Sequence, residues 1–191
     1  YTSSEVKKII EYAKTNRDGI GIIIILKTGI RRSELLALRW SDIDFNKNII
    51  KIVRAVKSGG YIGEPKSKAG IRTIPIDNEL SEYLSTMFEA EDRDINDYII
   101  KNHLGSYMEP TNYDSRNYKD FMNSMAEHFN NKIEKLTAHE LRHTYGTLLR
   151  ERGVDIYTIQ KVMGHENIDI TAKTYVHNDL NVLIKNMNLD H

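Results

Sequence analysis

Between residues 137 and 175 the chain carries two histidines, an arginine and a tyrosine at spacings that could form a reactive site. His139 and Arg142 are three residues apart, so they share one face of a helix. His165 follows a glycine, and Tyr175 comes ten residues later. Cationic side chains neutralise a phosphate and a tyrosine hydroxyl is a nucleophile. Each residue alone is more often structural, but the ordered set suits attack on a phosphodiester.

Phosphodiester chemistry requires further groups, and the chain contains residues of the right types. A pentacoordinate phosphate carries extra negative charge, which two arginines can meet with paired donors. Arg142 is one candidate, and the segment 28–35 offers Arg31 and Arg32. The leaving 5′-oxygen needs a proton, which a lysine at a hairpin tip can deliver. Lys66 and Lys68 are the candidates for that role.

The first part of the chain predicts three helices. Thr2 and Glu5 form a capping box ahead of apolar residues at helical period, which predicts a helix over 3–14. The apolar run 19–27 fits either a buried helix or a buried strand by periodicity. We interpret it as a helix because Thr28-Gly29 ends it and a short helix over 33–38 follows.

The middle of the chain predicts a small sheet. Isoleucines alternate with charged residues within 49–76, which indicates two or three antiparallel strands with a basic hairpin tip at 65–70. Beyond it we expect a short strand at 98–101 and a loop at 102–111. Helices are predicted over 79–88, 118–130, from His139 to a stop at Gly153, over 156–163 and over 170–177.

These elements give an α+β fold class, a mainly α-helical domain with a small antiparallel sheet of about three strands. We expect one domain over residues 1–191. The chain starts with Tyr1 rather than Met, so we expect it to be part of a longer protein. It has no Cys, which fits a reducing cytoplasm, and its longest apolar run, 20–26, is too short to span a bilayer.

Charge is unevenly distributed along a chain whose formal net charge is zero. Residues 1–76 carry 15 Lys or Arg and 7 Asp or Glu, a net charge of +8. Residues 77–136 carry 6 and 13, a net charge of −7. Attraction of a polyanion depends on the local field, so the first segment can face nucleic acid. We interpret the acidic middle segment as a solvated face.

A rival hypothesis comes from His139-Glu140-x-x-His143, which matches a zinc-hydrolase signature. The position expected for a third ligand holds Leu149, although Glu166 could serve as a more distant ligand. Arg142 would place a fixed positive charge beside a dication, which is unfavourable. The phosphodiester hypothesis therefore accounts for more residues.

Taken together, the motifs resemble the catalytic domain of the tyrosine recombinase (phage integrase) family, from end to end and in order. The similarity is to integrases of phages and conjugative transposons of Gram-positive bacteria. It is carried by the hairpin lysines and by Thr28-Gly29-Ile30-Arg31-x-Ser33-Glu34-Leu35, His139-x-x-Arg142-His143, Gly164-His165 and Tyr175-x-His177.

This resemblance implies roles for the matched residues. Arg31 and Arg142 would hold the non-bridging oxygens of the scissile phosphate, and His139 would accept the tyrosine proton. His165 would be a further phosphate donor. Tyr175 would attack to give a 3′-phosphotyrosyl bond and a free 5′-hydroxyl. Because that bond conserves the phosphodiester energy, the family chemistry uses no cofactor, metal or ATP.

The general acid and the neighbours of the matched residues are assigned by the same resemblance. Counting back from the predicted strand that contains Arg72-Thr-Ile-Pro75 favours Lys66 over Lys68 as the general acid. Arg32 is expected to be a neighbour of the catalytic arginine, because the pattern places that arginine directly after Gly-Ile. Glu34 would either orient Arg31 or cap its helix. Two further residues are assigned mainly to structure: His143 and His177.

The resemblance also implies partners and a location. We expect double-stranded DNA recombination sites, other protomers in a tetramer on DNA with a monomer in isolation, accessory DNA-bending or directionality factors, and the bacterial cytoplasm. Family members usually carry N-terminal DNA-binding domains, and without them the chain should bind DNA weakly. The apolar helical pattern of 178–191 could pack on its own domain or on a neighbour. A DNA-binding module that has lost catalysis is the remaining alternative.

Overall fold

An apolar helix, α2 (Gly19–Thr28), lies at the centre of the fold. We describe it from a computed structural model, which describes residues 1–90 and 93–164. The helix packs between α1 (Ser3–Lys14) and α7 (Ala138–Glu151). Its side chains from residue 22 to residue 26 are buried. A helix that is apolar on every face is stable only in the interior, so the helical interpretation of 19–27 is confirmed.

The amphipathic helices around α2 begin at side-chain caps. Thr2 and Glu5 form the expected capping box of α1, whose bounds match the prediction. Thr137 and Glu140 form another at the start of α7. Asp155 caps α8 (Ile156–Met163) by accepting from two backbone N–H groups, and Gly164 ends that helix in the left-handed conformation. These caps satisfy N–H groups that the helices themselves cannot pair.

The structure has an antiparallel sheet of three strands, as the fold class predicted, in the order β1 (Ile43–Asp44), β2 (Ile49–Ile52) and β5 (Arg72–Pro75). Its first strand precedes the segment 49–76, in which the strands were predicted. Its register pairs Ile50 with Ile74 and Ile52 with Arg72. A separate two-stranded hairpin, β3-β4, precedes β5. The strands of the hairpin are β3 (Ala55–Val56) and β4 (Ile62–Gly63).

The remaining helices differ from the predictions mainly at their ends. The short helix predicted over 33–38 is α3 (Arg32–Leu35), because the next residues make tighter i→i+3 bonds. The prediction over 79–88 corresponds to α4 (Asn78–Glu89). The one over 118–130 corresponds to α6 (Lys119–His128). A π-helical turn (Asp114–Tyr118) leads into α6.

Two predictions for the segment before α6 are wrong. Residues 98–101 form no strand: Tyr98 and Lys101 each make one isolated bridge, to Arg39 and Tyr107. The predicted loop 102–111 ends earlier, because Pro110 starts α5 (Pro110–Tyr113). Proline is tolerated at the first helical position, where its missing N–H is not needed.

The last helix that the structure describes, α8, packs on α7 and on β5. It has its own small apolar cluster, formed by Ile159 and Met163 with three neighbours, Leu149, Val154 and Ile156. The predicted helix over 170–177, the segment 178–191, His165 and Tyr175 lie outside the described residues. Among the residues that are described, no helix has both the length and the apolar character needed to cross a bilayer.

Gly29→Ala is expected to destabilise the fold more than Gly105→Ala. Both glycines have positive φ, 63° and 79°, where a side chain is strained by about 1–3 kcal/mol. A Cβ on Gly29 would also lie 2.3 Å from Cδ1 of Tyr145, whereas one on Gly105 meets nothing within 4 Å. Urea unfolding midpoints at constant m-value measure the difference. Equal losses would mean that the Tyr145 ring shifts without cost.

Candidate active site

Three arginines from distant parts of the chain donate to the last two carbonyls of α8 and to the carbonyl of Gly164, the residue that ends the helix. These carbonyls lack intrahelical partners and carry partial negative charge, so cations are favoured there. The pairs are Arg72 Nε with Val162 O at 2.6 Å, Arg142 Nη2 with Met163 O at 2.5 Å and Arg31 Nη2 with Gly164 O at 2.7 Å. The contacts hold the three guanidinium groups together immediately before His165.

Glu34 joins two of these arginines through one buried carboxylate. Arg72 donates to its Oε1 at 3.0 Å and to its Oε2 at 2.8 Å, and Arg31 Nη1 donates to Oε1 at 2.8 Å. Burial raises the pKa of Glu34, but hydrogen bonding and charge from Arg72, together with Arg31, outweigh it and leave that pKa lowered. The carboxylate is therefore held ionised.

Glu34 also caps α3, since its Oε2 accepts from the backbone N–H of Arg31 at 2.9 Å. The sequence leaves open whether this residue orients Arg31 or caps its helix. In the structure one carboxylate makes both contacts. It therefore holds the backbone and the side chain of Arg31 together.

Arg142 links the turn before α3 to the end of α8. Its side chain is buried, and Nη1 donates to the carbonyl of Gly29 at 2.6 Å. Its second guanidinium nitrogen holds Met163, next to the carbonyl that Arg31 holds. The two arginines predicted to bind phosphate therefore sit side by side, although they are far apart in sequence.

A cleft of about 600 Å³ lies beside these arginines. Three of the predicted site residues line it: Arg31, His139 and Arg142. The rest of its lining comes from Arg32, Ser33, Asp114, Tyr118, Thr137 and Ala138. Arg32 forms an ion pair with Asp114, so its guanidinium is held by a different carboxylate from that of Arg31. The cleft therefore has the cations and the histidine that an attack on a phosphodiester requires.

The two histidines of α7 contact each other. His139 Nε2 and His143 Nε2 are 2.8 Å apart, so one of these nitrogens donates and the other accepts. Burial lowers the pKa of His143, and charge on His139 and Arg142 lowers it further. Protonation of this imidazole is thereby disfavoured, which leaves His139 with a neutral neighbour.

The zinc-site geometry is not formed by the residues that the structure describes. Glu140 is turned toward the start of α7, where its Oε2 accepts from the N–H and Oγ1 of Thr137, each at 2.7 Å. Among residues 1–90 and 93–164, no group of three or more His, Cys, Asp or Glu side chains that could hold a metal ion occurs. Glu166, the third ligand considered, lies outside the described residues.

The hairpin lysines lie apart from the cleft. Lys66 and Lys68 are exposed, on the segment between β4 and β5. Neither is among the described residues that line the cleft. The structure thus brings together Arg31, His139 and Arg142, and it leaves the predicted general acid at the surface.

Sequence reasoning missed one charged residue of this cluster, Arg72. The sequence pattern places it only in a strand next to the hairpin, yet its side chain is 5% exposed. A signal was available, because alternate residues of a strand share a face and Ile74, two positions on, is buried. An arginine on the core-facing side of a strand needs partners, and here they are Glu34 and the end of α8.

Comparison with known proteins gives a family and a fold. The phage integrase family model matches residues 1–181. A XerC-like tyrosine recombinase of Caldanaerobacter subterraneus is 32% identical over 93% of this chain and 50% of its own length. The Tn916 transposase of Enterococcus faecalis is 28% identical over 92% and 47%. The chain thus spans about half the length of these curated relatives.

Solved structures give the same fold. A Tn1549 transposon integrase in complex with transposon right-end DNA has a TM-score of 0.81 at 23% identity, covering 100% of this chain and 65% of that one. The XerA recombinase has a TM-score of 0.73 at 23% identity, covering 98% and 64%. The mainly helical domain with a small antiparallel sheet is therefore the fold of tyrosine recombinase catalytic domains. With the family match over nearly its whole length, the chain belongs to the phage integrase family, the tyrosine recombinases.

Proposed function

We propose that residues 1–191 are the catalytic domain of a site-specific recombinase or integrase that cleaves and rejoins DNA through a 3′-phosphotyrosyl intermediate, without metal or ATP. One observation carries the proposal. Arg31 and Arg142 are fixed side by side on adjacent carbonyls, Gly164 and Met163, and both line the same cleft as His139.

Phosphate binding is the task of the two arginines in this proposal. A guanidinium offers planar, paired donors that match phosphate oxygens. Donors fixed before the substrate arrives need no reorganisation as negative charge develops, which is how such sites stabilise a transition state. Glu34 and the Gly164 carbonyl supply that fixation for Arg31, and the Gly29 and Met163 carbonyls supply it for Arg142.

Bond making and breaking then follow in one balanced exchange. The Tyr175 oxygen forms a bond to phosphorus while the bond from phosphorus to the 5′-oxygen breaks. The tyrosine proton passes to His139, and Lys66 supplies a proton to the leaving 5′-oxygen. His165 would add a donor to the phosphate. Attack of a 5′-hydroxyl on the phosphotyrosine reverses the steps and rejoins a strand.

The partners of the chain are part of the proposal. A Tn1549 integrase structure is in complex with circular-intermediate DNA and a XerH recombinase structure is bound to a palindromic difH substrate, and we propose duplex recombination sites as the partner of this chain too. The net charge of +8 over residues 1–76 supports binding to a polyanion. A tetramer on DNA, a monomer in isolation, accessory factors and a bacterial cytoplasmic location stay predictions.

A covalent selection from random DNA tests the function and identifies the DNA site in the same experiment. The chain is incubated with a pool of randomised, singly nicked duplexes, and protein with attached DNA is recovered under denaturing conditions, with and without EDTA. Adduct that forms in EDTA supports the recombinase. Hydrolysis or cleavage that EDTA abolishes supports a metal-dependent enzyme. Non-covalent binding alone supports a DNA-binding module. The selected duplex then serves in the following experiments.

Tyr175→Phe is expected to abolish the covalent adduct while leaving DNA binding and the unfolding midpoint unchanged, because only the attacking hydroxyl is lost. Denaturing gels measure the adduct and gel shifts measure binding. Tyr157→Phe, which alters an exposed tyrosine of α8, is the matched control and should form adduct normally. Adduct from the Tyr175 variant would assign the nucleophile to another residue.

Arg31→Ala and Arg142→Ala are each expected to slow cleavage by roughly 2.7–4 kcal/mol or more, the loss typical of one transition-state donor. Arg31→Lys should also be slow, because lysine lacks the planar fork. Single-turnover cleavage of the selected duplex measures the rates.

Arg32→Ala is the control for Arg31, because the neighbouring guanidinium pairs with Asp114 instead. It should cleave much faster than Arg31→Ala. A larger defect in the Arg32 variant than in the Arg31 variant would reverse the assignment of the catalytic arginine.

Lys66→Ala is expected to be slow on ordinary DNA and largely rescued by a bridging 5′-phosphorothiolate, since a thiolate leaves without protonation. Lys68→Ala should weaken binding, lower its salt dependence and gain no rescue. Paired cleavage rates on the oxygen and sulfur substrates measure both variants. Rescue of Lys68→Ala alone would transfer the acid role to Lys68, and rescue of neither would point to water or His139.

A further inference from the structure

Arg72 touches three segments that the proposed reaction uses, and that reaction assigns it no role. Its guanidinium donates to Glu34 on α3, to the carbonyl of Gly70 at 2.9 Å and to the carbonyl of Val162 at 2.6 Å. These partners belong to the helix that follows Arg31, to the base of the lysine hairpin (residues 57–71, which carry Lys66 and Lys68) and to the last turn of α8. Among the described side chains of the cluster, this is the guanidinium that reaches all three.

The contact with Glu34 ties Arg72 to Arg31. Glu34 is almost fully buried, and both of its oxygens accept from Arg72 while one also accepts from Arg31. A buried carboxylate is stable only when its charge is compensated and its lone pairs are occupied. Without Arg72, the two oxygens of Glu34 would compete for the donors of Arg31 alone, so the guanidinium of Arg31 would move away from its present position.

The contact with Gly70 ties Arg72 to the lysine hairpin. A Cβ placed on Gly70 would lie 2.4 Å from Cβ of Pro65, so the hairpin closes on itself through the space that this glycine leaves. Pro65 immediately precedes Lys66. By holding the Gly70 carbonyl, Arg72 fixes the base of the loop from which Lys66 extends.

The hairpin root also packs directly on the end of α8. A Cβ on Gly164 would lie 2.9 Å from the carbonyl oxygen of Ala69 and 2.9 Å from Nη1 of Arg72. Gly164 adopts φ 65°, and its carbonyl is the one that Arg31 binds. The hairpin, the Arg72 guanidinium and the turn that leads to His165 therefore lie in van der Waals contact.

We propose that Arg72 is a positioning residue for the recombinase reaction, which couples the lysine hairpin, the Arg31 guanidinium and the end of α8 into one unit. The inference rests on the proposed function for its catalytic consequence. Its structural consequence can be measured without DNA. Arg72 acts through its partners, since it is not among the described residues that line the cleft.

Arg72→Lys is the sharpest substitution for testing this coupling. Lysine keeps the positive charge beside Glu34, but a single ammonium group cannot supply the planar set of donors that reaches three directions. The buried carboxylate stays compensated, so the fold should survive. Lys27→Gln is a matched control, because Lys27 is a poorly exposed cation that holds two carboxylates elsewhere, those of Asp77 and Glu79.

Amide hydrogen exchange of the whole chain without DNA gives the first readout. In Arg72→Lys we expect faster exchange in both the hairpin, residues 57–71, and α8, residues 156–163, with α1 unchanged. In Lys27→Gln we expect neither the hairpin nor α8 to change. Unchanged exchange in Arg72→Lys, or a change confined to one of the two segments, would overturn the coupling whatever the chain does to DNA.

Cleavage of the selected duplex gives the second readout. Misplacement of reacting groups by about 1 Å can slow a reaction roughly 100-fold, so we expect a loss of that order in Arg72→Lys with DNA affinity unchanged. The bridging phosphorothiolate should restore part of the rate, because the lysine acid is one of the groups displaced. A parallel fall in affinity, unfolding midpoint and cleavage, with no gain on sulfur, would show a purely structural role.

A double-mutant cycle completes the design. If Arg72 acts on cleavage through Glu34, the Arg72→Lys, Glu34→Gln double variant should be little slower than the slower single variant. If the losses of cleavage rate in the two single variants are instead independent and additive, Arg72 does not act on cleavage through Glu34. Wild-type protein in the cleavage assay distinguishes failure of the proposed function from failure of the coupling. If it forms no adduct, the proposed function is rejected, and amide hydrogen exchange still tests whether Arg72 couples the lysine hairpin to α8.

Discussion

The position of α8 depends on the contact between three arginines and the carbonyls at its C-terminal end. This helix has eight residues, and its buried apolar side chains are Ile159 and Met163. A helix of that length is not stable alone, so its position must come from tertiary contacts. Hydrogen bonds from charged donors contribute roughly 1.5–3 kcal/mol each, and three of them act on its last turn. The groups proposed to bind phosphate therefore also hold the helix that precedes His165.

Concentrating charge in this way is costly, and the arrangement of Glu34 shows how the cost is limited. Three guanidinium groups close together repel each other and lose water. One ionised carboxylate between Arg31 and Arg72 reduces the repulsion, and the α8 carbonyls provide partial negative charge on the other side. The cluster still carries more positive than negative charge, so a phosphate placed in the cleft would complete the compensation. A site of this kind is stabilised by the anion that it binds.

Local signals explain what the sequence could predict. The helices over 3–14 and 156–163 have caps and stop signals in adjacent residues, and their predicted bounds agree with the structure. Motifs identify Arg31 and Arg142, and the structure brings them together. The partners of Arg72 lie at positions 34, 70 and 162, and no local pattern links them. The prediction of a strand at 98–101 was wrong for the same reason. Whether a segment pairs as a strand depends on which segment lies opposite it in the fold.

Position relative to the cleft separates the arginines proposed to meet substrate directly from the one proposed to act through others. Arg31 and Arg142 both line the cleft, whereas the Arg72 side chain, which is 5% exposed and donates to Glu34, is not among the described residues that line it. Arg31 and Arg72 donate to the same carboxylate and to the same helix end, so displacement of one guanidinium shifts the partners of the other. Through its contacts, Arg72 fixes the position of the lysine hairpin at the surface relative to that of Arg31 in the cleft. The accuracy of the site then depends on a residue that substrate need not contact, which is why mutation of cleft residues alone would not reveal it.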